Sequence, residues 1–152
     1  MDKGKLIALA ADHRGLHLKE TLKDLLKSKG YEVKDFGTNS QESCDYPDYG
    51  IPAAQAVAGG QAFQGILMCA TGNGMAMSAN KVKGIRAALC FTPEMARLAR
   101  AHNNANMLVL AADFVSEETA KEIAEAWLDS SFEGGRHERR VMKIEKIEDG
   151  RV

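Results

Sequence analysis

A cysteine at the end of an apolar run is followed at once by a loop of small residues. The segment reads GILMCATGNGMAMSANK over 65–81, and Cys69 closes the apolar run. The backbone N–H groups from Ala70 to Gly74, followed by a helix that is predicted to begin near Asn73, favour a bound anion. Thiols in such settings have pKa values of roughly 3.5–7.5, below their usual value of about 8.5. The segment therefore suits proton abstraction next to a carbonyl group, with the enediolate oxygen held by the loop.

Two familiar loops and one structural alternative compete with this interpretation. The dinucleotide-binding pattern needs a third glycine where Met77 stands, and it opens its fold, whereas this loop follows a third predicted strand. A cysteine phosphatase loop needs an arginine six positions after the cysteine, where this chain has Met75. The alternative that stays open is that Cys69 is a small buried side chain at the end of a core strand. We expect Cys44 and Cys90 to be structural in that sense.

An acidic residue and a histidine follow the first predicted strand. As a functional pair, Asp12 and His13 would orient a substrate hydroxyl or phosphate. As a structural pair, they would open the next helix, with Asp12 accepting backbone N–H bonds. His13 and His17 have the spacing of helical metal ligands, but the sequence offers no evident third ligand, and no metal site is predicted.

Two further polar groups lie in the second half of the chain. His102 and Asn103 stand in a polar loop, where a histidine titrates near neutrality and acts as a general acid or base, or is simply solvated. Arg136 and Arg140 share a helix face because they are four residues apart. Two guanidinium groups beside a Gly-Gly turn suit a phosphate clamp, although an exposed basic stretch explains them as well.

The composition of the chain favours one globular domain over residues 1–152. Hydrophobic residues make up 45% and charged residues 27%, and the formal net charge of −1 provides no global attraction to nucleic acid or anionic lipid. The three cysteines form no C-x-x-C pair, so we expect reduced thiols and a cytoplasmic location. The first apolar run stops at Asp12, too short for a signal peptide, and no segment approaches transmembrane length. We expect neither a membrane nor a nucleic-acid partner.

Short apolar runs alternate with longer amphipathic segments. The predicted strands cover 5–11, 31–37, 65–69, 85–91 and 107–112. The predicted helices cover 17–30, 52–60 and 116–130, two more begin near 73 and at 93, and another follows at the C-terminus. This alternation indicates a parallel sheet with helices on both faces. Because ligands bind beyond the carboxyl ends of such strands, the residues after strands one, three and four are expected to meet at one edge.

The segments that carry these signals together resemble a known enzyme family. AADHRG, DYPDYG, CATGNGMAMSANK, GIRAALC, ARLARAHNNANML and FEGGRHERRV occur in the order and spacing of type B ribose-5-phosphate isomerases, a family that includes galactose-6-phosphate and allose-6-phosphate isomerases. The resemblance implies a three-layer αβα Rossmann-like fold with a five-stranded parallel sheet and an extra C-terminal helix. It also implies a homodimer or a dimer of dimers with active sites shared between subunits, a sugar-phosphate substrate, and no metal or cofactor.

The resemblance assigns roles to residues at matching positions. Cys69 resembles the base that moves a proton between C2 and C1, and His102 the residue that opens the furanose ring, with Asp12 assisting. The enediolate oxygens would be bound by the loop after the cysteine, through Thr71 and the backbone of Ala70, Gly72, Asn73 and Gly74. Two sets of side chains would complete the site: Tyr46 and Asn103 at the sugar hydroxyls, and His13, Arg136 and Arg140 at the phosphate. Family members without the cysteine use a glutamate where this chain has Met75, so the chain is predicted to be of the cysteine type.

Two departures from the family pattern leave alternatives open. Ala70 stands where glycine is usual, and Asp113 stands where many members carry a phosphate-binding arginine. A carboxylate there opposes phosphate binding, unless Asp113 turns away and pairs with an arginine. Both changes favour a six-carbon substrate, allose 6-phosphate or galactose 6-phosphate, as an alternative. A non-enzymatic flavodoxin-like binding module is a remote alternative, because fold alone does not determine function.

Overall fold

Five parallel strands form the central sheet of the computed structural model, which describes residues 4–150. The strands are β1 (Leu6–Ala11), β2 (Glu32–Asp35), β3 (Gln64–Cys69), β4 (Ala87–Leu89) and β5 (Met107–Ala111), and their order in the sheet is β2-β1-β3-β5-β4. The two central apolar strands, β3 and β5, are buried along their whole length, as expected where helices cover both faces.

Six helices flank the sheet and complete the predicted three-layer αβα fold. They are α1 (Leu16–Ser28), α2 (Pro47–Ala58), α3 (Asn73–Asn80), α4 (Pro93–Ala101), α5 (Glu117–Leu128) and α6 (Arg136–Glu148). Alternate residues of β1 enter two separate cores: Ile7 and Leu9 pack with α1, α4 and α5, whereas Ala8 and Ala10 pack with α2 and α3. Helices therefore cover both faces, as the sequence predicts.

The C-terminal helix α6 is attached mainly by polar contacts. The Glu148 carboxylate accepts the Gly84 N–H at 2.9 Å, and the Glu145 carboxylate lies 3.2 Å from Arg86. Val141 is buried, whereas Ile144 and Ile147 are more than half exposed. The extra helix predicted from the sequence is confirmed, and it exposes apolar side chains.

The predicted start of the second helix is wrong. The Ala-rich segment predicts a helix over 52–60, but α2 begins at Pro47 and includes Pro52 in its interior. The strand predicted over 85–91 is also shorter, since only residues 87–89 pair with β5. Cys44, Cys69 and Cys90 are all free thiols, as predicted. No helix within residues 4–150 has the length and apolar character needed to cross a membrane.

Candidate active site

The loops after β1 and β3 lie side by side at the carboxyl edge of the sheet. Ala11 is paired with Met68, and the next amide, that of Asp12, lies 3.4 Å from the Met68 carbonyl oxygen. The helix after β1 packs on one face of the sheet and the helix after β3 on the other. A crevice of this kind, between strands whose connections diverge, is where open α/β sheets bind ligands.

Cys69 is the last residue of β3 and lies at the rim of one core. Its side chain is buried, and the residue is 5% exposed. The carbonyl groups of Cys69 and Ala70 accept N–H groups from Ala112 and Asp113 at 2.9 and 3.0 Å, which ties the loop to the end of β5. The thiol is thus at the predicted edge, although its burial leaves the structural interpretation open.

A glycine in the left-handed region turns the loop into α3. Gly72 has φ +81° and is the N-cap residue of α3, and a Cβ there would overlap Leu89. The Thr71 hydroxyl accepts the Asn73 N–H at 3.2 Å. The N-cap residue Gly72 has no side chain to bond the later amides of the first turn, so the N-terminal field of α3 is directed toward the crevice. The loop thus places a glycine turn and the start of α3 directly after Cys69, and the anion cradle stays a prediction.

Tyr46 packs against this cradle. A Cβ on Gly74 would overlap the Tyr46 ring, so the absence of a side chain lets the ring lie on the first turn of α3. Tyr46 is the N-cap residue of α2 and is 38% exposed. Met75, in contrast, is fully buried against Gly50, which fits the prediction that it plays no chemical part.

The loop after β1 has both a structural and an exposed side. One oxygen of Asp12, Oδ1, accepts the N–H groups of Arg14 and Gly15 at 3.0 and 3.1 Å, so the structural role left open by the sequence is observed. His13 Nδ1 accepts the Cys44 N–H at 3.3 Å. A neutral His13 therefore carries its proton on Nε2, which can donate to a ligand.

Asp113 forms an ion pair with an arginine, which is one of the two alternatives that the sequence left open. Its carboxylate lies 2.5 Å from a guanidinium nitrogen of Arg14. The side chains of Arg14 and Asp113 are 56% and 33% exposed, so the pair lies near solvent. The charge of Asp113 is therefore offset by Arg14 beside the loop that carries Cys69.

The histidine predicted to open the sugar ring lies far from the cysteine within one chain. His102 follows α4, which runs from the end of β4 back toward the start of β5. The nearby Asn104 carbonyl accepts the Arg86 side chain at 2.8 Å, just before β4 begins. His102 is therefore at the amino edge of the sheet, whereas Cys69 is at the carboxyl edge.

The remaining predicted site residues are also divided between the carboxyl and amino edges of the sheet. Asn103 is exposed at the amino edge next to β4, and Arg136 and Arg140 are exposed on the first turns of α6. His13 and Tyr46 lie at the carboxyl edge with the cysteine loop. One chain thus forms two half-sites and does not bring all the predicted residues together.

His137 belongs to the second half-site, although the sequence analysis missed it. Its ring stacks on the His102 ring with centroids 4.1 Å apart and an interplanar angle of 7°. Burial lowers the pKa of His137, and the nearby charges of His102 and Arg136 lower it further. His137 follows Arg136 directly in the sequence, but only the fold shows that it meets His102.

Comparisons with known proteins agree with the fold and the motifs. The family model for ribose/galactose isomerases matches residues 7–144. Ribose-5-phosphate isomerase B of Escherichia coli is 47% identical over 97% of this chain and 99% of its own length. D-erythrulose-4-phosphate isomerase of Pectobacterium atrosepticum is 45% identical over 91% of each chain.

Two solved structures have the same fold. A ribose 5-phosphate isomerase of Thermotoga maritima is 51% identical with a TM-score of 0.91, over 93% of this chain and 98% of that one. Ribose-5-phosphate isomerase B of Mycoplasma genitalium with bound ribulose-5-phosphate is 43% identical with a TM-score of 0.92, over 95% and 96% of the two chains.

Proposed function

The chain belongs to the ribose/galactose isomerase family, and we propose that it interconverts ribose 5-phosphate and ribulose 5-phosphate. The observation that carries this proposal is Cys69 at the end of β3, beside a glycine turn and the uncapped N-terminus of α3. The names of the relatives from Escherichia coli and Mycoplasma genitalium support the same pentose phosphate. These similarities leave the non-enzymatic alternative without support.

In the proposed chemistry, the thiolate of Cys69 is the base. Its sulfur takes the proton from C2 of the open-chain aldose, and the electron pair of that C–H bond forms the C1–C2 double bond of a cis-enediolate. The carbonyl oxygen at C1 takes the negative charge and is bound by the loop N–H groups and Thr71, which stabilise it at the moment it forms. The proton of the C2 hydroxyl passes to the C1 oxygen, which leaves the negative charge on the C2 oxygen. The thiol then returns its proton to C1, where the electron pair of the double bond forms the new C–H bond, and an electron pair of the C2 oxygen forms the ketose carbonyl.

The furanose ring must open before this proton transfer. His102 is suited to take the proton of the anomeric hydroxyl and deliver it to the ring oxygen as the bond between C1 and that oxygen breaks, because a histidine exchanges protons near neutral pH. Asp12 would assist with the carboxylate oxygen that does not bind the loop amides. His13, Arg136 and Arg140 would bind the phosphate, and Tyr46 and Asn103 the sugar hydroxyls.

This mechanism requires a second copy of the chain. Cys69 and His102 lie at opposite edges of one sheet, so a single chain cannot apply both to one sugar. In a homodimer with two-fold symmetry, the carboxyl edge of one copy faces the amino edge of the other, and two identical sites form. The exposed apolar residues of α6, Ile144 and Ile147, support such an assembly, either as a dimer or as a dimer of dimers.

Sugars of other lengths are the main competing substrates. Asp113 was one reason to consider six-carbon sugars, and its pairing with Arg14 removes the objection to a pentose phosphate. The relative named D-erythrulose-4-phosphate isomerase makes a four-carbon sugar the better comparison. We expect the highest kcat/KM with ribose 5-phosphate.

The deciding experiment measures ketose formation by the pure protein without added metal. Ribose 5-phosphate, allose 6-phosphate and galactose 6-phosphate are compared in the aldose-to-ketose direction, and D-erythrulose 4-phosphate in the reverse direction. Higher kcat/KM for a four- or six-carbon sugar would replace the proposed substrate but keep the chemistry. Absence of turnover with every sugar, in a folded protein, would overturn the isomerase proposal.

A further inference from the structure

Two histidines and a glutamate meet at the amino edge of the sheet. The Nε2 atoms of His102 and His137 each lie 3.8 Å from Oε1 of Glu133. One ligand atom from each of the three residues can be chosen so that all lie within 4.8 Å of one another. Two imidazoles and one carboxylate are a ligand set that proteins use for zinc.

The loop between α5 and α6 brings Glu133 to this place. Its N–H donates to the carbonyl of Ala101 at 3.0 Å, at the end of α4 and next to His102. Gly134 and Gly135 then adopt positive φ values of 71° and 60°, which allow the turn into α6, the helix that carries His137. The cluster is therefore held by backbone contacts from two separate parts of the chain.

The ring of His137 is buried and incompletely hydrogen-bonded among the described residues. The residue is 7% exposed, and its Nε2 atom has no hydrogen-bond partner among the described residues. Buried polar atoms are nearly always paired, so an unpaired nitrogen that faces a carboxylate and a second imidazole indicates a ligand.

We propose that His102, Glu133 and His137 bind one divalent transition-metal ion of borderline softness, such as Zn²⁺, per chain. Imidazole nitrogens select such ions over Mg²⁺ or Ca²⁺, which prefer oxygen ligands. The stacked rings lie in parallel planes, so binding needs the half-exposed His102 ring to tilt until both nitrogens face the ion. The Glu133 side chain, 54% exposed, is free to move inward.

The surrounding charges make this a weak, reversible site. Arg136 and Arg140 are close enough to lower the pKa of His137, and they oppose a second positive charge. Glu133 offsets one of these charges.

The consequence for activity rests on the proposed function. An ion bound to His102 occupies the nitrogen that would exchange a proton with the sugar. Zinc at this site would therefore inhibit turnover of ring-closed ribose 5-phosphate. Glu133 lies outside the proposed catalytic machinery, so a substitution of Glu133 tests metal binding without removing a proposed catalytic group.

The test measures zinc binding directly. Untagged protein, stripped with a chelator and dialysed, is titrated with ZnCl₂ by calorimetry at pH 7.5, and the absorption of bound Co²⁺ gives a second readout. We expect one ion per chain, bound at least roughly tenfold more weakly by both Glu133→Gln and His137→Asn, because each variant loses one of the three ligands of the ion. Glu138→Gln and Cys44→Ser serve as controls that keep binding intact.

The outcomes separate the site from the proposed function. If Glu133→Gln binds Zn²⁺ as tightly as the wild type does, the metal site is overturned. This comparison does not depend on whether His137→Asn folds. Absence of Zn²⁺ binding by the folded wild type would overturn it as well. Zinc that binds to the cluster without inhibiting turnover would confirm the site and contradict the role of His102.

Discussion

Cys69 and His102 lie at opposite edges of the same parallel sheet. Cys69 ends β3 at the carboxyl edge, and His102 follows α4 at the amino edge, next to the residues that precede β5. The two edges carry different groups. The carboxyl edge holds a thiol, a glycine turn and the start of α3, and the amino edge holds two stacked histidines and two arginines.

The pair formed by Arg14 and Asp113 predicts a charge effect on substrate binding. Arg14→Ala leaves an unpaired carboxylate beside the cysteine loop, and we expect a higher KM for ribose 5-phosphate. The pair is near solvent, so its loss should change the free energy of unfolding by less than about 1 kcal/mol. Steady-state kinetics and urea melts measure both effects.

A compensating change provides the control for this pair. Arg14→Ala combined with Asp113→Ala removes both charges and should return the KM most of the way to the wild-type value. A double variant with a KM as high as that of Arg14→Ala would show that Arg14 acts on the substrate directly, independently of Asp113.

The close approach of Tyr46 to Gly74 predicts coupling between the two residues. Gly74→Ala places a methyl group in the Tyr46 ring, so the ring must move and the KM should rise. The same change removes a glycine from a helix, which favours folding by about 0.5–1 kcal/mol, so stability should be preserved. Tyr46→Ala completes a double-mutant cycle, in which Gly74→Ala has no further effect once the ring is absent. Additive effects would mean that Gly74 acts without Tyr46.

A buried lysine predicts the behaviour of the protein in acid. Lys19 is fully buried, and its Nζ lies 2.6 Å from the Asp35 carboxylate. Burial raises the pKa of Asp35, but hydrogen bonds from Lys19 and Lys23 outweigh burial and hold the pKa below its ordinary value. Asp35→Asn removes the nearest carboxylate from the buried Lys19 and leaves Glu20, 3.7 Å away, as its charged partner, so it should cost about 3 kcal/mol at pH 7.

The sign of the pH effect follows from the lowered pKa. The contribution of Asp35 is present above the ordinary aspartate pKa and is lost as the pH falls through the lower, folded-state value. The difference in stability between wild type and Asp35→Asn should therefore shrink below roughly pH 4. Urea melts across this range measure it, with the exposed Asp24→Asn as the matched control. A difference that stays constant with pH would contradict the assignment.

Cys69 and Cys90 should differ in their reactivity toward alkylating reagents. Burial raises the pKa of Cys90 to about 11, so almost none of it is thiolate at pH 8. Iodoacetamide should leave Cys90 unmodified in the folded protein, whereas Cys69 should be alkylated with loss of activity. Peptide mass mapping after timed labelling measures each rate. Labelling of Cys90 as fast as Cys69, before any unfolding, would contradict the expected difference.

The sequence predicted the elements that local patterns determine. Continuous apolar runs identified the buried strands β3 and β5, and the Cys69 loop was placed correctly because a strand end and a glycine turn both leave local signals. The start of α2 was missed because Pro47 and Pro52 both suit a first helical turn, and tertiary packing selects between them. The stacking of His102 on His137 depends on contacts between distant segments, which no local spacing encodes.

Mixing two inactive variants tests the shared site most directly. Cys69→Ala and His102→Asn should each lower kcat by roughly 10²–10⁴ through loss of a proton-transfer group. When the two chains are co-expressed in equal amounts, half of the dimers are hybrids, and each hybrid has one site with both native residues. Activity should then recover to about a quarter of the wild-type value per chain. Hybrids that form, as seen by native mass spectrometry, but remain as inactive as the parent variants would contradict a site built from Cys69 of one copy and His102 of the other.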